Sequence, residues 1–301
     1  MKPAPWSICV VLAVVGISCS ARLPAIVQDM QAATGREEQM RILNRIATNA
    51  QERTELFAYM DARPESVAAA KSKLLAFYAD RSNQMAQLPV PLDLRSSSAP
   101  RQTCAGLNYT FSSPWPEFAE TDGCVNVWVA FQDQHGRMLM MSQSTTTNAL
   151  DDFAWRELSF ATHDSRWIQT LAFPDRESNH GLELYRQCLG TTPSDLSACT
   201  KISDAFQYLA RMSIKLILLS GKAAPVLNEV QTGAHQGYQV QDASKPGRYH
   251  LRLFDKSGRI LELVFGSKKD LDPPISQADV NCVLLSLKKI DDAAPPPSSS
   301  P

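Results

Sequence analysis

Five histidines, seven cysteines and scattered carboxylates are the side chains here that could ligate a metal, attack a carbonyl or move a proton. The histidines, His135, His163, His180, His235 and His250, are spaced too widely for two of them to share one face of a helical metal site. Neither HExxH nor paired CxxC occurs, so no metal ligand is assigned. A serine nucleophile needs a base and oxyanion donors, and the GxSxG frame that supplies them is missing. GxxxxGK[ST] and GxGxxG are missing too, so no nucleotide site is assigned. Asp151 and Asp152 form a carboxylate pair, but sequence neighbours point apart rather than across a glycosidic bond. His163-Asp164 beside Trp167, and Asp175-Arg176-Glu177, are the densest ionisable spots. The sequence therefore yields no catalytic residue and no cofactor, and the chain is read as not an enzyme.

Binding asks for less. Trp155 and Trp167 flank a polar stretch and are the aromatic residues best placed to touch a ligand. Trp115, Trp128 and the run Met138 to Met141 read as core. With 30 basic against 31 acidic residues the net charge is −1, which argues against a general reader of nucleic acid or of anionic lipid.

Lys2, the unbroken apolar run Ile8 to Ile17 and the small residues after it have the form of a secretory signal over residues 1–18. The apolar window Trp6 to Cys19 is shorter than the ~17–25 residues of a membrane span. The run ends Gly16-Ile17-Ser18-Cys19, a permissive lipobox in which Cys19 becomes the lipidated first residue. Cleavage after Ser20 or Ala21 is the alternative. The expectation is an exported protein held at the membrane through Cys19, and otherwise periplasmic or secreted.

Export makes the remaining cysteines candidates for disulfides. The sequence-local couples Cys104 with Cys124 and Cys188 with Cys199 are expected to pair, leaving Cys282 as a buried thiol. Cys104 with Cys188 or Cys199 stays open as an alternative.

The elements that carry these residues follow from periodicity. Ile26 to Phe57 and Val67 to Met85 place apolar residues at helical steps, with a break at Asp61 to Pro64. Residues 19–88 therefore read as a helical hairpin. Residues 89–103 hold three prolines and a serine run, which is linker composition. Residues 291–301 form a Pro/Ser tail expected to be disordered.

Between them, 104–290 reads as one α+β domain. Val125, Val127, Val129 and Phe131 alternate as in a strand, as do Tyr249, Leu251 and Leu253. Each stretch runs into a turn, Asp133 to Arg137 and Asp255 to Arg259, with a Gly three residues after the Asp. That is hairpin chemistry. Further expectations are a helix over 202–220, strands at 226–231 and 237–241, and a closing helix at 281–289. The fold class is α+β: an N-terminal helical hairpin followed by an antiparallel sheet packed by the helices at 202–220 and 280–289.

An early strand near Tyr109 to Trp115 with its Pro-Trp-Pro, a hairpin, a central helix, further strands and a last helix ending Ser-Leu-Lys resemble the PsbP-like sandwich of small exported bacterial proteins. The resemblance spans about 104–290. It implies a sheet sandwich without a shared catalytic constellation.

The function expected is a non-catalytic, lipid-anchored envelope binding or assembly module, its partner an envelope protein or a small ligand. A small-ligand or lipid carrier with an apolar cavity, and a cryptic hydrolase, are the alternatives.

Overall fold

The computed structural model describes residues 25–34, 36–77, 79–121, 128–143, 181–219, 224–267 and 274–290. The chain is mixed α+β and divides into two compact units. One comprises Met1–Leu88 with Asn148–Gly221, the other Pro89–Thr147 with Lys222–Pro301. The segment expected as a secretory signal, Cys19, Cys124, Trp155, Trp167 and residues 291–301 lie outside the described residues.

The described part of the first unit is helical. The segment expected as two long helices is divided into α1 (Ala25–Ala32), α2 (Arg36–Thr48), α3 (Ala50–Asp61) and α4 (Pro64–Phe77). Asn49 caps α3, its side chain accepting from Glu52 N at 3.2 Å, and so ends one helix and starts the next. Pro64 opens α4, a first-turn position where its missing N–H costs nothing. Arg45 of α2 ties its neighbours, at 2.6 Å from Asp29 and 2.7 Å from Glu52. A short α5 (Ser82–Ala86) follows, and then α6 (Gly181–Gly190), α7 (Pro193–Ala198) and α8 (Ile202–Leu218).

The apolar stripe of α8, with Ile202, Phe206, Leu209 and Leu216, is buried. Its cover within this unit is helical, where the sequence reading expected the sheet. Phe206 packs on Phe57 of α3, with ring centroids 5.4 Å apart. Asp61 at the end of α3 accepts the first amide of α8, Ile202 N, at 2.6 Å. The helix at 202–220 thus belongs with the N-terminal helices.

The second unit is built on an eight-stranded sheet, β1-β7-β8-β9-β10-β6-β5-β4 in order, antiparallel except where β1 meets β7. Its long strands are β6 (Arg137–Gln143), β7 (Pro225–Gln231), β8 (Gln236–Asp242), β9 (Tyr249–Phe254) and β10 (Ile260–Ser267). β5 (Trp128–Gln132) and the two-residue β1 (Val90–Pro91) and β4 (Ala119–Glu120) complete it. A smaller sheet holds β2 (Gln102–Gly106), β3 (Tyr109–Ser113) and β11 (Lys288–Lys289) in the order β11-β3-β2.

Both Asp-x-x-Gly-Arg turns are hairpins. Asp133 Oδ1 accepts from His135 N and Arg137 N, with Gly136 at φ 86°. Asp255 Oδ1 accepts from Ser257 N and Arg259 N, with Gly258 at φ 81°. The carboxylate organises the turn, and glycine takes the left-handed corner without a Cβ penalty.

One face of the large sheet, with Val129, Phe131, Leu139, Met141, Leu251, Leu253, Leu261, Leu263 and Phe265, shares a core with Tyr109 and Phe111 of β3 and Val280, Val283 and Leu284 of α9 (Gln277–Ser286). That closing helix begins earlier than periodicity suggested. Ser276 and Asp279 cap each other's backbone amides at its start. It also ends earlier, because Lys288 and Lys289 leave it to pair with β3.

Residues 89–103 are not a free linker. Leu92 N donates to Glu229 O at 2.8 Å, and Leu92 and Leu94 pack on the core. The buried Asn281 donates to Asp93 O at 2.9 Å and Ser96 O at 2.6 Å, while Ser98 Oγ donates to Asp279 at 2.7 Å. Pro and Ser composition reports what a segment cannot build alone, not what a neighbouring helix can offer it. Limited proteolysis of the full chain should therefore spare Pro89 to Thr103. Asn281→Ala, which removes two bonds of about 1 kcal/mol each, should raise cleavage there roughly 30-fold. Equal cleavage in the two proteins would refute the tether.

Candidate functional site

The helical unit carries an open cleft of about 420 Å³ between α6, α7 and α8. Asp204, Gln207, Tyr208 and Arg211 line it from α8 at steps of three and four, and Arg186, Gln187 and Gly190 from α6. Thr191, Asp195 and Cys199 close the end around α7. On α6 the inward residues Leu184, Tyr185, Cys188 and Leu189 are buried, which leaves the polar positions between them to the cleft.

The walls are pinned from behind by charged groups on backbone atoms. Lys71 Nζ donates to Ser197 O at 2.8 Å and Cys199 O at 2.9 Å, the carbonyls at the end of α7. Lys215, fully buried, donates to Thr191 O at 2.7 Å, Met85 O at 2.9 Å and Gln87 O at 2.5 Å. Its three protons meet carbonyls at the C-terminal ends of α5 and α6, where helix dipoles place negative charge.

Within the cleft, Asp195 accepts from Thr192 N at 2.6 Å as the cap of α7. Arg186 pairs with Glu183 at 2.9 Å. Cys199 Sγ lies 3.2 Å from Asp195 O, and burial, reinforced by Asp204, pushes its thiol up. The cleft is equipped to recognise polar and charged groups of both signs.

On the sheet face away from the core, Ser142, Glu262 and Arg252 stand in one cross-strand row. Glu262 is the hub. Its Oε1 meets His250 Nε2 and lies 3.5 Å from Arg252 Nε, and its Oε2 accepts from Ser142 Oγ at 3.1 Å. The carboxylate sits between serine and histidine, so the imidazole does not reach the hydroxyl as a Ser-His-acid relay requires. The arrangement fixes charge on a sheet face.

Of the residues singled out from sequence, Cys104, Cys188 and Cys199 carry thiols, as does Cys282. The expected Cys188–Cys199 bond is not made. Cys188 sits on the buried face of α6, while the Cys199 sulfur turns to the Asp195 carbonyl. Cys104 Sγ points at Phe118 O, 3.6 Å away, and Cys124 lies outside the described residues. Peptide mapping without reductant should recover Cys188 and Cys199 as separately alkylated thiols. A peptide joined through both would overturn this.

Trp155, Trp167, His163, His180 and the acidic pairs at 151–152 and 175–177 lie outside the described residues. Among the described residues no group of three or more His, Cys, Asp or Glu is placed to hold a metal. Sequence reasoning missed the cleft. Its one readable signal was the polar stripe of Asp204, Gln207 and Arg211 opposite the apolar stripe of α8.

Among the described residues no helix is long and apolar enough to cross a membrane. Comparison with known proteins finds no matching family model, no matching curated protein and no matching solved structure.

Proposed function

We propose that the chain is a non-catalytic binding or assembly module of the cell envelope, exported and tethered through Cys19, which engages its partner at the α6–α7–α8 cleft. The observation that carries this reading is the polar lining of the cleft between α6, α7 and α8. Between sheet and helix, where a carrier would keep an apolar ligand, Leu251, Leu263, Phe111, Val283 and Leu284 form a buried core among the described residues. The cleft is polar, lined by Arg186, Arg211, Asp195, Asp204 and Gln207. Such a lining suits a peptide segment or small polar ligand bearing both charges. The apolar run Ile8 to Ile17 and Cys19 supply the export and anchoring part of the proposal.

The test is a photo-crosslinking residue at Gln207 in the full chain, expressed in its own cell, with exposed Glu65 of α4 as the control position. One discrete adduct from position 207 and none from 65 is expected. An amphiphile retained through purification and seen by native mass spectrometry would favour the carrier. Turnover of a generic ester, peptide or glycoside, lost on changing one acid or histidine, would establish the hydrolase. Cys19→Ser should abolish fatty-acid labelling. A wild type that takes no label and begins after Ser20 or Ala21 would overturn the tether.

A further inference from the structure

The β7–β8 turn, the β2–β3 turn and β11 converge on one buried imidazole. His235 is 3% exposed, its ring centroid 5.7 Å from that of Tyr109, and its Nδ1 is buried without a hydrogen-bond partner. Its backbone is bound to Thr232 on both sides. His235 N donates to Thr232 Oγ1 at 3.0 Å, and His235 O accepts from Thr232 N at 2.8 Å. These bonds fix the backbone that carries the buried ring.

β11 docks at the same corner. Lys289 pairs with Tyr109, and Ile290 N donates to Asn108 O at 2.7 Å. That carbonyl belongs to a turn in which Leu107 and Asn108 hold φ of 52° and 62°. A leucine adopts that conformation only where its surroundings impose it.

We infer that His235 is an acid-operated latch: neutral, it keeps the corner closed with β11 on β3, and protonated, it releases the β7–β8 turn and β11 together. The groups facing it account for the direction. Tyr109 comes from β3, Asp255 from the β9–β10 turn and Lys289 from β11, while Arg259 acts on the corner through Tyr109. Asp255 is the anion in this set, and it is already engaged. Its Oδ1 accepts from Ser257 N, Ser257 Oγ and Arg259 N, and its Oδ2 faces Lys289 Nζ at 3.5 Å.

A new cation would therefore meet burial and a nearby ammonium, against a carboxylate with little left to give. Burial pushes the imidazole below its ordinary value, with Lys289 adding to this and Asp255 opposing it. The closed corner thus binds fewer protons than the open one, and acid favours opening. Release would bare the outer edge of β3, an unpaired strand able to accept another.

Hydrogen exchange of the full chain at pH 7.5 and pH 5, corrected for intrinsic rates, tests this. Protection at residues 231–236 and at the Ile290 amide should fall roughly tenfold or more at the lower pH, while α9 keeps its protection. His235→Phe, which retains an aromatic ring and cannot titrate, should hold both segments closed at pH 5. In wild-type protein alone, the midpoint of opening should coincide with the titration of the His235 ring followed by NMR. Protection unchanged between the two pH values, loss spread equally over α9, or opening of the phenylalanine variant alongside wild type would each overturn the latch.

Discussion

Gly237→Ala is expected to destabilise the protein by at least about 3 kcal/mol, read as a lowered midpoint of chemical denaturation. Gly237 faces Leu253 across the β8–β9 ladder. A methyl group added there would lie 1.9 Å from Arg252 O and 2.9 Å from Leu253 Cα. Both are backbone atoms and cannot rotate aside. The strands would have to separate, carrying Leu251 and Leu253 out of the core and Arg252 away from Glu262. Gly233 in the adjoining turn is the control, because a methyl group there meets nothing within 4 Å. Gly233→Ala should change stability by no more than about 0.5 kcal/mol. Similar midpoints for the two variants would show that β9 yields, and the argument from close approach would fail.

That glycine marks where sequence reasoning stops. A strand over 237–241 was legible, and a glycine within a strand pattern hints at close backbone approach. Which backbone approaches is a property of register, and register appears only once β8 is laid beside β9. The two Asp-x-x-Gly-Arg turns were legible in full because the carboxylate, the amides it accepts and the left-handed glycine all lie within five residues. The antiparallel character of the large sheet follows from such turns.

The partner of α8 was not legible. Its stripe states that a face is buried without naming the cover, and Phe57 of α3 and the other N-terminal helices of its own unit supply that cover. The ties on 92–98 were hidden for the same reason, since Asn281 meets Asp93 and Ser96 across nearly two hundred residues of chain. The cleft lost out to Trp155 and Trp167 because aromatic residues announce binding in a sequence, whereas a polar helical stripe reads as ordinary solvated surface.

Lys215 gives the second large effect. Lys215→Met should cost about 2–4 kcal/mol, because Met85 O, Gln87 O and Thr191 O lose their shared donor while most of that site stays closed to water. The charge makes the cost depend on pH. Burial lowers the amine from 10.5 to about 8, with Asp195 opposing. Below pH 8 both folded and unfolded chains carry the proton, and the burial penalty is present in full. Between about 8 and 10.5 the unfolded chain holds more protons than the folded one, so wild-type stability gains from this residue as pH rises, by at most about 3 kcal/mol. The thiols of Cys104, Cys199 and Cys282 and the phenols of Tyr109 and Tyr249 are all pushed up by burial and act in the opposite sense, since the unfolded chain ionises first. The raw alkaline profile therefore mixes both signs. The difference between wild type and Lys215→Met cancels the thiols and phenols and leaves the lysine. Urea midpoints at pH 7.5, 9 and 10 should show the wild type gaining on the variant at each step. A constant gap would mean that the three carbonyls hold the ammonium charged throughout, in which case Lys215 fastens α5 and α6 without responding to pH.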